Sequence, residues 1–242
     1  MKKSLVVIPT YNEIENIDAI SRAVMALESN FELLIVDDGS PDGTAEKVEE
    51  LMVEFADRMH LIRRKGKLGL GTAYITAFKW ALERDYDLVF EMDADFSHNP
   101  ADLERLRSAC LDGADVAVGS RYVQGVNVVN WPMGRVLMSY FASKYVRVVT
   151  GLPVHDATAG FVCYTREVLQ TIRLDKIQFI GYAFQIEMKF KAWKYKFNIV
   201  EVPVIFTERR HGASKMSSGI FTEAVFGVIS MKIKSWFKSF KR

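Results

Sequence analysis

Residues 33–44 read Leu-Leu-Ile-Val-Asp-Asp-Gly-Ser-Pro-Asp-Gly-Thr. The apolar run Leu33–Val36 predicts a strand covered on both faces, because a strand with one wet face would alternate apolar and polar residues. The Asp, Gly, Ser and Pro that follow are turn-forming residues. They lead into a helical pattern over Ala45–Phe55. The unit is a strand, a polar rim and a helix.

The same unit recurs on either side. Further apolar runs lie at Leu5–Ile8, Leu61–Ile62, Leu88–Phe90 and Val116–Val118, with helical patterns at about 13–28, 43–56, 70–84 and 101–112. Asn99-Pro100 opens the last of these, Pro being suited to a first helical turn. Such β-α-β-α order predicts an α/β fold: a Rossmann-like, mostly parallel sheet with helices on both faces. Beyond residue 130 the pattern loosens. A helix is expected over 133–150, and strands over Phe161–Tyr164 and Ile199–Phe206. In 182–195, Phe184, Ile186, Met188 and Phe190 alternate as in a strand, but the length and lack of breakers favour a helix. The 242 residues suit one α/β domain over 1–215 and a C-terminal region over 216–242.

Hydrophobic residues at 49% and charged residues at 26% exclude a disordered chain. The net charge of +2 is unevenly spread: residues 205–242 hold eight Lys or Arg against two Glu, so the rest of the chain is acidic. A basic tail implies an anionic partner, either nucleic acid or a membrane surface. Cys110 and Cys163 show neither a C-x-x-C pair nor zinc spacing, which predicts free buried thiols in a reducing compartment. The N-terminus runs straight into a strand without a signal-peptide pattern, and no apolar window is long enough to span a bilayer. The expectation is a cytoplasmic protein, peripherally attached to the cytoplasmic face of a membrane.

In open α/β sheets, ligands bind beyond the carboxyl ends of the strands. Three polar clusters fall there: Pro9-Thr10-Tyr11-Asn12-Glu13, Asp37-Asp38-Gly39-Ser40 and Glu91-Met92-Asp93-Ala94-Asp95. Each alone could be helix caps and turns. Asp93 and Asp95, one residue apart after an apolar strand, can also converge on a divalent cation; their hard oxygens suit Mg²⁺ or Mn²⁺ bridged to substrate phosphates. Gly66, Gly69 and Gly71 suggest a phosphate loop, but Thr72 stands where a Walker loop needs Lys and Tyr74 where a dinucleotide fingerprint needs Gly. Those two nucleotide classes are excluded, although the glycines could admit a nucleotide close to the backbone. Arg121 ends a strand, Arg135 and Ser139 share a helix face, and Arg209 and Lys215 flank Gly212. Arg suits bidentate phosphate binding, and two phosphate-bearing substrates would need two such groups. The four histidines show no zinc spacing.

Together these stretches resemble the dolichyl- or polyprenyl-phosphate mannose synthases, inverting glycosyltransferases of the GT-A fold. The carriers are V-V-I-P-T-Y-N-E at 6–13, I-V-D-D-G-S-P-D-G-T at 35–44, G-L-G-T-A at 69–73, D-A-D-F-S-H at 93–98, V-G-S-R-Y at 118–122 and R-R-H-G-A-S-K-M-S at 209–217. The resemblance implies that Pro9, Tyr11, Glu13, Val36 and Asp38 hold the nucleoside of a sugar-nucleotide donor. It implies that Asp93, Ala94 and Asp95 hold metal and diphosphate, and that Arg121, Arg135 and Ser139 meet the phosphate of a polyprenyl acceptor. Arg209 and Lys215 would bind the charged centre between donor and acceptor. The catalytic residues implied are Asp95, Arg121 and Arg209. The implied reaction moves mannose from GDP-mannose to polyprenyl phosphate with inversion. Ser97 departs from members that carry a metal-ligating Gln there. Other sugar nucleotides such as UDP-glucose, a nucleotidyltransferase and a non-catalytic binding module are the alternatives. The first half lacks the usual Gly-rich nucleotidyltransferase signature after the first strand.

The tail would bring the enzyme to its lipid. At 100° per residue, Phe221, Val225, Ile229, Ile233, Trp236, Phe237 and Phe240 share one broad face, with Lys234, Lys238, Lys241 and Arg242 opposite. This predicts an amphipathic helix lying in the membrane interface, and its apolar face argues against nucleic acid as the partner. A helix docked on the body is the competing reading.

Overall fold

A computed structural model of the chain describes residues 2–181, 183–208 and 218–241, with side chains in the last stretch from Val225 onward. The strands are β1 (Ser4–Thr10), β2 (Glu32–Asp37), β3 (Met59–Arg63), β4 (Leu88–Glu91), β5 (Val116–Ser120), β6 (Val128–Val129), β7 (Val162–Thr165), β8 (Ile199–Pro203) and β9 (Phe206–Thr207). The helices are α1 (Ile14–Met25), α2 (Thr44–Glu54), α3 (Leu70–Leu82), α4 (Asp102–Leu111), α5 (Met133–Thr150), α6 (Arg166–Thr171), α7 (Ala183–Lys194) and α8 (Ser218–Trp236).

Seven strands form one sheet in the order β3-β2-β1-β4-β7-β5-β8. Only β7 runs antiparallel to its neighbours. Period-two alternation sorts each strand between two cores. Leu5, Val7, Leu34 and Val36 face a cluster with α3, α7 and part of α8, while Val6, Ile8, Leu33 and Ile35 face a cluster with α1, α2 and α4. Helices on both faces thus account for the continuous apolar strands. The strand order reverses between β1 and β4, and their carboxyl ends carry Pro9–Glu13 and Asp93–Asp95. That switch point is where an open α/β sheet leaves a crevice.

The expected elements of the first half are all present. In the second half, α7 (Ala183–Lys194) is the helix expected in that stretch. The strand expected over Ile199–Phe206 breaks at Val204-Ile205. Val204 N donates to Ser120 O (3.0 Å), and Phe206 and Thr207 pair instead with β6. The break sends β9 over the rim. Cys110 and Cys163 are free and buried, with sulfurs 3.5 Å apart.

The tail is docked on the body along part of its length. Val228 and Met231 are buried in the core cluster, Tyr145 Oη donates to Val225 O (2.9 Å), and Lys232 Nζ donates to Thr150 O (2.8 Å). The neighbouring stripe of Phe226, Ile229, Ile233 and Trp236 stays exposed. The helix ends at Trp236, earlier than its periodicity predicts. Phe237 and Phe240 are therefore not on its apolar face, and Phe240 packs edge-on against Tyr195 at 5.1 Å. Among the described residues no helix is long and apolar enough to cross a membrane.

Candidate active site

The loops after β1 and β2 are tied together by short polar side chains. Thr10 Oγ1 donates to Asp37 Oδ1 (3.0 Å), and Ser40 N and Oγ also donate to Asp37. Asn12 N donates to Ser40 Oγ and Glu13 N to Thr44 Oγ1. Asn12 adopts a left-handed φ of 56°, which turns the chain off β1 toward α1. The Glu13 carboxylate accepts from Asn16 Nδ2 (2.9 Å). Pro9 and Val36 are direct neighbours across β1 and β2. Pro9, Tyr11, Glu13, Val36 and Asp38 are thus brought to one corner. Lys67 Nζ lies 5.2 Å from the Tyr11 ring centre.

Asp38 shows a partner that sequence spacing did not reveal. Its Oδ1 lies 3.2 Å from Arg64 Nη1, both side chains being nearly buried. Burial pushes the Asp38 carboxyl up, and Arg64 works against that shift. Arg64 Nη2 also donates to Thr72 Oγ1 (2.6 Å), which in turn donates to Gly69 O. The signal available was the basic run Arg63-Arg64-Lys65 at the end of β3. Two of the three glycines are required by close packing: a Cβ on Gly71 would fall 2.9 Å from Phe179 O and from the Phe184 ring, and one on Gly69 would fall 3.0 Å from Ile180 O, whereas Gly66 faces open space.

Across the crevice, Asp95 is buried and Asp93 half-buried. Ser97 N donates to Asp95 Oδ1 (3.0 Å), and Phe96 between them takes a left-handed φ of 58°. A bulky residue there marks a backbone held against its preference, as happens at functional loops. Among the described residues, no three His, Cys, Asp or Glu side chains converge as a metal-holding set. Asp93 and Asp95 are the two carboxylates that would hold a divalent cation here, their hard oxygens being the kind such an ion takes. His98 is stacked on Phe161 at 4.6 Å, and burial lowers its pKa to about 4, so it is neutral. Beneath the rim, burial pushes the Glu91 carboxyl up and the Lys189 ammonium down, and Lys189 Nζ donates to Ala159 O (2.6 Å).

The cationic side is built around Arg121. Its Nε and Nη2 donate to the two oxygens of Asp156, each at 2.6 Å, and Nη2 also reaches Thr158 Oγ1 (3.0 Å). Burial opposes the Arg121 charge, but Asp156 more than restores it, and Asp93 adds to that pull. Asp156 is in turn set by Glu201, which accepts from the backbone N–H groups of His155 (2.7 Å) and Asp156 (2.9 Å). Arg135 lies 4.1 Å from the Trp131 ring centre, and its Nη1 donates to both Glu208 oxygens at 2.6 and 2.7 Å. Ser139 follows one turn later. Burial raises the Tyr122 phenol, while Arg121 and the Ser139 hydroxyl lower it.

β9 joins the two sides. Thr207 N donates to Ser97 O (3.0 Å), and the Phe206 ring meets His98 at 4.8 Å and Trp131 at 5.0 Å. The Asp95 loop and the Arg121–Arg135 side therefore share one wall. Arg209 and Lys215 lie outside the described residues. Arg64, Trp131, Asp156 and Glu208 are the site residues that sequence reasoning missed. Asp156 and Glu208 sit 35 and 73 positions from their arginines, and nothing local marks them.

The chain is 46% identical over 233 residues to a polyprenol monophosphomannose synthase of Mycolicibacterium smegmatis, covering 96% of this chain and 88% of that protein. It is 45% identical over 224 residues to an undecaprenyl-phosphate mannosyltransferase of Micrococcus luteus, covering 93% and 91%. A solved structure of a mannosyltransferase from Pyrobaculum calidifontis, in complex with GDP-Man and Mn²⁺, superposes with a TM-score of 0.61 at 17% identity. That superposition covers 98% of this chain and 65% of the other, and shows a shared fold. The family model for "Glycosyl transferase family 2" matches residues 5–173, a span that runs from β1 past α6 and takes in the corner formed by the loops after β1 and β2, the Asp93–Asp95 loop and the Arg121–Asp156 pair. On that match and those identities, the chain belongs to glycosyl transferase family 2.

Proposed function

We propose that this transferase moves mannose from GDP-mannose to the phosphate of a polyprenyl lipid, inverting the anomeric centre. The observation that carries the reading is the pair of opposed charge groups on one rim, Asp93 and Asp95 on one side and Arg121 and Arg135 on the other, joined through β9. The names of the similar proteins agree with it.

A lipid phosphate is already ionised near neutral pH, so its oxygen can attack the sugar without a strong general base. The chain's work is positioning and charge stabilisation. Tyr11 and Asp38, backed by Arg64, hold the nucleoside; Pro9, Glu13 and Val36 shape that corner. Asp93 and Asp95, with Ala94 between them, face the diphosphate. A Mg²⁺ or Mn²⁺ ion held by these carboxylates would offset charge on the departing diphosphate. Arg135 and Ser139 receive the acceptor phosphate. Arg121, fixed by Asp156, supplies a positive field beside it. Arg209 and Lys215 complete the neutralisation of the two substrates.

Residues 1–215 form the transferase domain in this reading, and 216–242 attach it to the cytoplasmic face of a membrane. α5, which packs against α8, also leaves Met133, Leu137, Phe141 and Val148 exposed. Aromatic and aliphatic side chains beside Lys suit the interface of a bilayer.

The test is a donor panel with polyprenyl phosphate: GDP-mannose, UDP-glucose and GDP-glucose, with nucleotide products separated. GDP released from GDP-mannose in proportion to lipid consumed supports the reading. Turnover only with UDP-glucose would replace the donor, and pyrophosphate as product would replace the reaction class.

A further inference from the structure

Beyond Trp236 the chain leaves α8 and is pinned by Phe240, which packs edge-on against Tyr195 and lies 5.5 Å from Lys194 Nζ. That contact brings Lys238 and Lys241 toward Arg173 and Lys176, which follow α6, and toward Lys191 on α7. These five cationic side chains line one open cleft of about 580 Å³, far from the rim residues in sequence and sharing none of them. Among the described residues no acidic side chain is part of its lining. Lys191 is answered from outside it by Glu187 at 2.9 Å. Elsewhere on the surface, cations such as Arg22 and Arg63 are matched by neighbouring carboxylates.

Gathering like charges from separate parts of the chain costs electrostatic energy that a bound anion would offset. An Arg fork beside several ammonium groups suits a phosphate-bearing anion. The neighbourhood identifies its source. Trp236 and Phe237 are 68% and 85% exposed and directly precede Lys238. Exposed aromatic rings followed by cations match the level of the bilayer where lipid phosphates lie.

We propose that this cleft binds the phosphate of an anionic membrane lipid, a second lipid contact separate from the acceptor site at Arg135. The proposal rests on the membrane-attached reading of the enzyme. It makes the preference for anionic membranes a property of one site rather than of overall charge.

The test uses the full chain and vesicles of phosphatidylcholine alone or mixed with phosphatidylglycerol. The wild type should bind the mixed vesicles better. A variant with Arg173→Gln and Lys176→Gln, both exposed positions, should lose about tenfold in binding to mixed vesicles and keep its binding to neutral ones. A variant with Lys79→Gln and Arg84→Gln removes the same charge away from the cleft and should bind like the wild type. Equal loss in both variants, or none in the first, would overturn the proposal while leaving the membrane reading intact. Failure of the wild type to bind either vesicle would overturn both. A rise in melting temperature with inorganic phosphate that the first variant lacks, together with unchanged vesicle binding, would assign the cleft to a soluble phosphate instead.

Discussion

Arg121 and Asp156 face each other through two 2.6 Å hydrogen bonds in a pair that solvent scarcely reaches, the Asp156 side chain being fully buried. Burial alone would push both groups toward their neutral forms. Their mutual attraction keeps Asp156 below the usual carboxylate range and Arg121 charged. The pair thus places a fixed positive charge next to the rim, held by residues that the transfer chemistry itself does not consume.

The first prediction is that Asp156→Asn destabilises the protein by about 3–5 kcal/mol, the usual cost of stranding one member of a buried pair. Because the folded pKa of Asp156 is depressed, its stabilisation is complete above the unfolded value near 3.9 and disappears as pH falls through the lower folded pKa. Urea denaturation across that acid range should show a smaller loss of stability with acidity in the variant than in the wild type. Identical slopes would show that the pair contributes nothing to acid sensitivity.

Asp95→Asn should abolish nearly all transfer, and Asp93→Asn should impair it strongly. Both side chains belong to the rim loop after β4 rather than to either apolar core, so circular dichroism should remain native. Excess EDTA should reproduce the loss in the wild type. Full activity of Asp95→Asn, or activity indifferent to EDTA, would remove the cation from the account.

The two sides of the rim should separate kinetically. Arg135→Ala should raise the acceptor KM about tenfold or more, the scale of one charge-assisted hydrogen bond, with little change in the donor KM. Arg64→Ala should do the reverse, because Asp38 then loses its partner at 3.2 Å. Steady-state kinetics with each substrate varied in turn would show it. An unchanged acceptor KM in Arg135→Ala would return that arginine to a structural role with Glu208.

Vesicle attachment should depend on exposed rings rather than on the presence of α8. Deleting the helix would uncover a core that Val228 and Met231 help to close. Trp236→Ala with Phe237→Ala touches only exposed side chains. That variant should keep its melting temperature and its turnover of short, water-soluble acceptors while sedimenting poorly with vesicles. Undiminished sedimentation would reassign the exposed stripe to a protein partner.

The first half of the fold was legible because each strand is a continuous apolar run closed by turn residues, as at Leu33–Ser40. The sorting of Leu34 and Val36 to one core and Leu33 and Ile35 to the other explains why no alternation shows. The Asp93–Asp95 rim was legible for the same reason: strand ends can be read locally. Arg121 and Arg135 could be named, but their partners could not. Asp156 reaches Arg121 through the irregular turn after α5, and Glu208 reaches Arg135 by way of β9. The helix of the tail stops nearly two turns short of the pattern, because helical periodicity does not register the tertiary contact of Phe240 with Tyr195.

The most direct test is incubation of the full chain with GDP-mannose, labelled in the sugar, and polyprenyl phosphate, followed by extraction into organic solvent and mild acid. The account predicts that label enters the solvent phase only when the lipid phosphate is present, and that mild acid returns it to water as free mannose. Label that stays in the aqueous phase, or lipid-bound label that resists mild acid, would contradict transfer to a lipid phosphate.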